Sequence, residues 1–187
     1  MSSIINGYFQ LVKKILPSQA EDFSVGLDIS ASECKMVQIC SSSDGYSIVN
    51  WAVEPIVGGD IGKTVQMVLE RLEGSQFSIY TSIFGKGTLI RYIDLPRMSL
   101  KDLKSSFGIE VDKYFPFAQD QTYTDCFILD PKGTEKQMSV MAAAAKKELV
   151  DDRLKIFEDI GVDIDFMGIN TIGLSNIIHA LGYIGEE

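Results

Sequence analysis

A chain of 187 residues, 45% hydrophobic and 23% charged, has enough apolar material for a buried core and is too apolar to remain disordered. Its 17 basic and 26 acidic residues leave a formal charge of −9, which repels a phosphate backbone and excludes nucleic acid as a partner. Three cysteines, Cys34, Cys40 and Cys126, are odd in number and form no C-x-x-C pair, so the chain is read as cytoplasmic, with the cysteines as small core residues.

In chain order, Ile4, Ile5, Tyr8, Phe9, Leu11, Val12, Ile15 and Leu16 fall on one broad helical face, opposite Asn6, Gln10, Lys13 and Lys14, and Pro17 ends the helix. Linked to the rest by Ser18 to Asp22, this segment has several uses open to it: packing on its own domain, lying on a membrane surface, docking a partner, or self-association. The period then changes to two. Phe23, Val25, Leu27 and Ile29 alternate, as do Val37 and Ile39 against Met36 and Cys40. After the turn-forming Ser41 to Gly45, the run Tyr46 to Val53 completes an expected antiparallel meander. A helix over Ile61 to Leu72 and a strand over Phe77 to Phe84 follow, ended by the Gly85-Lys-Gly87 turn.

A second unit opens with a strand from Leu89 to Leu95, stopped by Pro96. Leu100, Leu103, Phe107, Val111 and Tyr114 then predict one helix, with Ser99 and Asp102 placed as a capping box. Strands are expected over Tyr123 to Leu129 and Gln137 to Ala144, on either side of the Asp130-Pro-Lys-Gly133 turn. The longest apolar run of the chain, Val140 to Ala145, falls far short of the roughly 18 residues of a spanning helix. A helix carrying Leu149, Leu154, Phe157 and Ile160 stops at Gly161, and a short strand over Val162 to Phe166 leads to a last helix, Ile172 to Leu181.

The raw material for catalysis is thin. The single histidine, His179, sits in a helical pattern and reads as a surface or packing residue, so a Ser-His-Asp triad or histidine-rich metal site is not available. The pairs Asp151 with Asp152 and Asp163 with Asp165 read as solvated carboxylates. Gly26-Leu-Asp-Ile-Ser-Ala-Ser-Glu-Cys-Lys35 stands apart, because it places an acid at the end of a strand, then small residues, then a lysine entering the next strand. Small side chains let backbone N–H groups approach a phosphate, a lysine supplies compact positive charge, and an aspartate can hold a hydrated cation. The same spacing also makes an ordinary β-turn.

The run Val25 to Val37 resembles the first phosphate-binding hairpin of the actin-like ATPases. Ile90-Arg-Tyr-Ile-Asp-Leu-Pro-Arg-Met-Ser-Leu-Lys-Asp-Leu103, Ile109-Glu-Val-Asp-Lys-Tyr-Phe-Pro-Phe117 with Asp125, and Met141-Ala-Ala-Ala-Ala-Lys-Lys147 resemble one branch of them, the type IV pilus assembly protein PilM family. The resemblance runs from about Phe23 to the C-terminus. It implies an α/β fold with an incomplete actin-like (ribonuclease H-like) mixed-sheet subdomain IA, split over 23–84 and 166–187. An inserted α/β subdomain IC would span 85–165, as in PilM and FtsA, with 1–22 as helix and linker.

For the site, the resemblance implies ATP and Mg²⁺ as the family's cofactors, with Asp28 near the metal, Ser30, Ala31, Ser32 and Glu33 near the phosphates, and Lys35 reaching them. Serine at position 30 departs from the usual glycine, and either crowds the phosphate or offers it a hydroxyl. The chain matches roughly the first half of such a protein, so no ATP hydrolysis is expected of these residues alone. The implied partner is the cytoplasmic tail of a PilN-like inner-membrane protein, received in a groove between IA and IC, which makes the chain peripheral to that membrane. Candidate contacts are Arg91, Tyr92, Leu95, Pro96, Tyr114, Phe115 and Phe117. A nucleotide-dependent switch or weak ATPase, or a related secretion-platform protein, is the alternative.

Overall fold

The computed structural model describes residues 22–43, 45–74 and 76–182, and the helix expected near the N-terminus lies outside them. In chain order come β1 (Asp22–Ile29), β2 (Glu33–Ser42), β3 (Gly45–Pro55), α1 (Ile61–Leu69), β4 (Phe77–Ile83), β5 (Thr88–Pro96), α2 (Leu100–Phe107), α3 (Val111–Tyr114), β6 (Thr122–Ile128), β7 (Gln137–Lys146), α4 (Lys147–Asp159), β8 (Phe166–Ile169) and α5 (Asn170–Ala180). The α/β class expected from the sequence is the one observed. A five-stranded sheet runs in the order β3-β2-β1-β4-β8, and a three-stranded sheet in the order β5-β7-β6. The first is mixed, since β1, β2 and β3 are antiparallel neighbours while β1 and β4 are parallel. The chain divides into two compact units, Met1–Thr81 with Asp163–Phe166, and Ser82–Val162 with Met167–Glu187.

In the first unit, alternation decides which side of the sheet is buried. Val25, Leu27 and Ile29 of β1, Cys34, Met36 and Cys40 of β2, Ala52 of β3 and Ile79 of β4 are buried together with Val65 and Val68 of α1. Asp60 caps α1 by accepting from the Lys63 N–H at 2.9 Å. One member of the buried row is polar: Gln38 is 0% exposed. Its amide donates to the Glu73 carbonyl at 2.6 Å and accepts from the Glu73 N–H at 3.0 Å, so the segment after α1 is tied to β2 without an orphaned polar group.

In the second unit, β7 is the central strand. Its inward row Met138, Val140, Ala142 and Ala144 packs with Leu103, Phe107, Val111 and Phe115. The Phe107 ring meets Phe115 edge-on at 6.2 Å and stacks on Tyr114 at 5.4 Å. The helix expected as one piece is two, α2 and α3, although the apolar steps persist across the break. Ser105 and Ser106 bond back to the carbonyls of Lys101 and Asp102, and Gly108 lacks a side chain to hold the helical turn. Ser99 caps α2 as expected, accepting from the Asp102 N–H at 3.1 Å and donating to its carboxylate at 2.7 Å.

The strand expected at Val162 to Phe166 begins only at Phe166. Gly161, with φ +68°, ends α4 in a left-handed turn, and the Val162 N–H bonds to the Phe157 carbonyl at 3.0 Å, so Val162 belongs to the helix terminus. Asp165 is no solvated bystander: its carboxylate accepts from the Ile79 N–H at 2.7 Å and its own N–H donates to the Ile79 carbonyl at 2.8 Å.

Arg97 laces the β6–β7 loop to the end of β5. Its guanidinium donates to the carbonyls of Glu135 at 2.8 Å, Asp130 at 3.1 Å and Gln137 at 3.1 Å, and it pairs with the Asp130 carboxylate. A Cβ at Gly133 would meet Asp130 Oδ2 and the Arg97 guanidinium, so a side chain there would have to push this ion pair aside.

Replacing Gln38 by leucine should lower stability by about 1–3 kcal/mol, the cost of leaving the Glu73 groups unpaired; equilibrium urea unfolding with an unchanged midpoint would refute this role. The Arg97 hydrogen bond holds the Asp130 carboxyl below the usual carboxylate range, so its stabilisation is present at neutral pH and is lost as the pH falls through the folded-state value. Asp130→Asn should therefore flatten the acid limb of the stability–pH curve, measured by thermal melts from neutral pH downward.

Candidate functional site

The hairpin singled out in the sequence joins the central strand β1 to β2. Its register pairs Ile29 with Cys34 and Asp28 with Lys35, leaving Ser30, Ala31, Ser32 and Glu33 at the turn. The Ser30 hydroxyl is fully used there. It donates to the Glu33 carbonyl at 2.9 Å and accepts from the N–H groups of Glu33 at 3.0 Å and Ser32 at 3.3 Å. The Ser30 N–H closes the turn on the same Glu33 carbonyl at 3.0 Å, and the Ser32 carbonyl accepts from the Ile56 N–H at 2.8 Å.

The charges are also used within the hairpin. Lys35 Nζ lies 2.9 Å from Glu33 Oε1 and 3.6 Å from Asp28 Oδ2. The Glu33 hydrogen bond, then its charge, hold the lysine above its ordinary pKa. One lysine against two carboxylates leaves the turn with a net negative charge, where a nucleotide phosphate needs the opposite.

Tested against ATP and Mg²⁺, this set does not fit. The N–H groups of Ser32 and Glu33 face a serine oxygen, the lysine is paired, and Asp28 is engaged by that lysine. Among the described residues no group of three or more His, Cys, Asp or Glu side chains is arranged to hold a metal ion.

The residues marked for partner binding fall in the second unit and separate into two groups. Arg91, Tyr92, Leu95 and Pro96 lie on β5, which pairs with β7 and forms one edge of its sheet. Opposite β7, Arg91 faces Ala142 and Leu95 faces Met138, both in the buried row, whereas Tyr92 faces Met141 on the other side. Arg91 and Pro96 are exposed and Tyr92 is 72% exposed. Tyr114, Phe115 and Phe117 sit on or after α3 instead. Phe115 is buried in the core, and Tyr114 and Phe117 are half-buried against it.

The remaining candidates are placed simply. Cys34, Cys40 and Cys126 are buried and outside any disulfide, in line with small core residues, and His179 is exposed in the last turn of α5. Sequence reasoning missed Arg97 as the organiser of the β6–β7 loop and Gln38 as a buried polar anchor. The signal for Gln38 was available, since it breaks an apolar row at a position where alternation demands burial. Lys104 with Asp125, 2.8 Å apart, joins α2 to β6 across a separation that periodicity does not reveal.

Comparison with known proteins adds an independent line. The family model for the type IV pilus assembly protein PilM matches residues 26–182. A solved PilM-PilN type IV pilus biogenesis complex aligns with a TM-score of 0.66 at 22% identity, over 78% of this chain and 47% of that one. The cytoplasmic domain of EpsL, an inner membrane component of the type II secretion system of Vibrio cholerae, aligns with a TM-score of 0.51 at 7% identity, over 79% of this chain and 57% of that one. The chain thus spans about half the length of the solved chains it resembles. The family match takes in the β1–β2 hairpin, the β5 strand with its Leu95-Pro96-Arg97 end, and the alanine-rich β7. On that match the chain belongs to the type IV pilus assembly protein PilM family.

Proposed function

We propose that this chain is a non-catalytic docking module of a type IV pilus assembly platform, cytoplasmic and held at the inner membrane by its partner. Its occupant in this reading is the N-terminal cytoplasmic tail of a PilN-like membrane protein. The supporting observation is the gathering of Arg91, Tyr92, Leu95 and Pro96 on β5, a nine-residue strand at the edge of its sheet. An extended peptide adds to such an edge through backbone hydrogen bonds, and its alternate side chains reach both sides of the sheet. On one side they meet Arg91 and Leu95, on the other Tyr92. Arginine and tyrosine are the residue types that carry binding energy at interfaces, and these two remain accessible. The solved relative bound to PilN is consistent with this partner. ATP hydrolysis has no place in the reading, because the hairpin that would hold the phosphates is closed on itself.

Isothermal calorimetry with a synthetic PilN-like tail tests the docking. Tyr92→Ala and Arg91→Ala should each weaken binding about tenfold or more, the loss of an interface anchor, while unchanged affinity in both variants removes β5 from the interface. A photo-cross-linking version of the peptide separates two geometries: labels confined to 85–165 support strand addition to β5 alone, and labels also in 23–84 support the groove implied by the family resemblance.

Titration with ATP and Mg²⁺ should give no measurable heat with the unaltered chain. Ser30→Gly combined with Glu33→Gln, which frees two N–H groups and leaves Lys35 facing the Asp28 carboxylate alone, should create affinity. Nucleotide binding by the unaltered chain that is abolished by Lys35→Ala would instead establish the nucleotide-dependent switch.

A further inference from the structure

The direction of the backbone groups along β5 follows from two hydrogen bonds at its ends. The Lys146 N–H donates to the Gly87 carbonyl at 2.8 Å, and the Arg97 N–H to the Lys136 carbonyl at 2.9 Å. Both pairs continue the unbroken β5–β7 register, in which Thr88 faces Ala145 and Pro96 faces Gln137. Opposed residues of an antiparallel ladder alternate between pairs that exchange hydrogen bonds and pairs that do not. Leu89, Arg91, Ile93 and Leu95 therefore direct N–H and C=O to β7, while Ile90, Tyr92 and Asp94 direct theirs to the edge. Among the described residues no strand pairs with β5 on that side. Pro96 takes an edge-facing place too, where its missing N–H breaks no ladder bond. At the other end the Thr88 N–H is spent on the Gly85 carbonyl at 3.1 Å. The run of edge-facing donors is thus Ile90, Tyr92 and Asp94, closed at both ends.

The same three residues place their side chains on one side of the sheet, beside Ala143, Met141 and Ser139 of β7. There Asp94 is oriented from β7: Ser139 Oγ donates to its Oδ1 at 2.8 Å. Ser139 is fixed in turn, its N–H donating to Asp130 Oδ1 at 3.1 Å, and the Asp130 carboxylate pairs with Arg97. Asp94 stays exposed, and among the described residues it has no basic partner. Resting on the docking reading above, we infer that β5 takes the extended tail by strand addition in one register. That register is centred on Tyr92 and sets a basic side chain of the tail beside Asp94. A tail with alternate N–H and C=O groups turned to β5 satisfies Ile90, Tyr92 and Asp94 together, in about six backbone hydrogen bonds. A slip of two residues would carry the basic side chain to Tyr92 or past Pro96 and lose the opposite-charge pair. The net charge of −9 also draws a basic segment to the chain.

Amide hydrogen exchange of the full 187-residue chain, resolved residue by residue by NMR, reads this edge. In the free chain Ile90, Tyr92 and Asp94 should exchange fast and Arg91 and Ile93 slowly. A saturating synthetic PilN-like tail should slow the first three about tenfold or more. Protection of those three before any tail is added means that the edge is already paired, by another part of the chain or by a second copy, and overturns the proposal. In calorimetry, N-methylation of the tail's amides one at a time should weaken binding about tenfold at alternate positions and little between them. Asp94→Asn should weaken the unaltered tail several-fold and have little effect on a tail with its basic residues replaced by glutamine. Sensitivity to N-methylation without alternation removes the strand geometry, and an equal Asp94→Asn loss for both tails removes the charge pair. The two readings also fail separately. If Tyr92→Ala and Arg91→Ala leave the affinity unchanged, β5 is not the interface and both fall. If they weaken binding while the amides of Ile90, Tyr92 and Asp94 stay unprotected, side chains alone meet the tail and only strand addition falls.

Discussion

The antiparallel register of β1 on β2 is the constraint on which the first unit rests. It pairs Asp28 with Lys35 and Gly26 with Val37, and every side chain of the two strands takes its side of the sheet from that choice. A slip by one residue would turn one strand over relative to the other, sending either Val25, Leu27 and Ile29 or Cys34 and Met36 to the exposed side and bringing Asp28 or Lys35 into the core. Burial of the apolar row against α1 therefore enforces the register, and the register in turn fixes which four residues form the turn. The chemistry of the hairpin is a by-product of packing several residues away.

That turn shows how residue types suited to one task can be arranged for another. A strand-end acid, small residues and a lysine are what a phosphate cradle uses, and all are present. Here the serine hydroxyl fills the place of an external acceptor, and Glu33 supplies the anion that Lys35 would otherwise seek. The turn is thereby saturated by its own atoms.

The second unit follows a different logic. Small residues on β7, Ala142 and Ala144 above all, let α2 and the aromatic cluster of Phe107, Tyr114 and Phe115 approach the sheet closely. The aromatic run after α2 is spent partly on this core, which is why Phe115 is buried, whereas Tyr92 of β5 lies on the other side of the sheet and stays exposed. Arg97 then holds the β6–β7 loop through carbonyls that no periodicity announces.

Local pattern determined much of this protein. The period-two runs gave the strands, Gly161 gave the expected stop of α4, Ser99 gave a cap, and the motif spacing around Arg91, Leu95 and Tyr114 led to the family. These features depend on residues close in sequence, where sterics and backbone hydrogen bonding act directly. The break of the helix at Gly108 and the start of β8 at Phe166 were not legible in the same way, because serine back-bonding and the capture of Val162 by α4 compete with apolar periodicity. Only the tertiary structure decided that Gln38 reaches Glu73 in the segment after α1, and that a bulge in the β2–β3 register gathers Ile48 and Trp51 on one exposed side. Each of those outcomes is set by contacts between segments distant in sequence, and the geometry of such contacts is fixed by packing and register rather than by residue type.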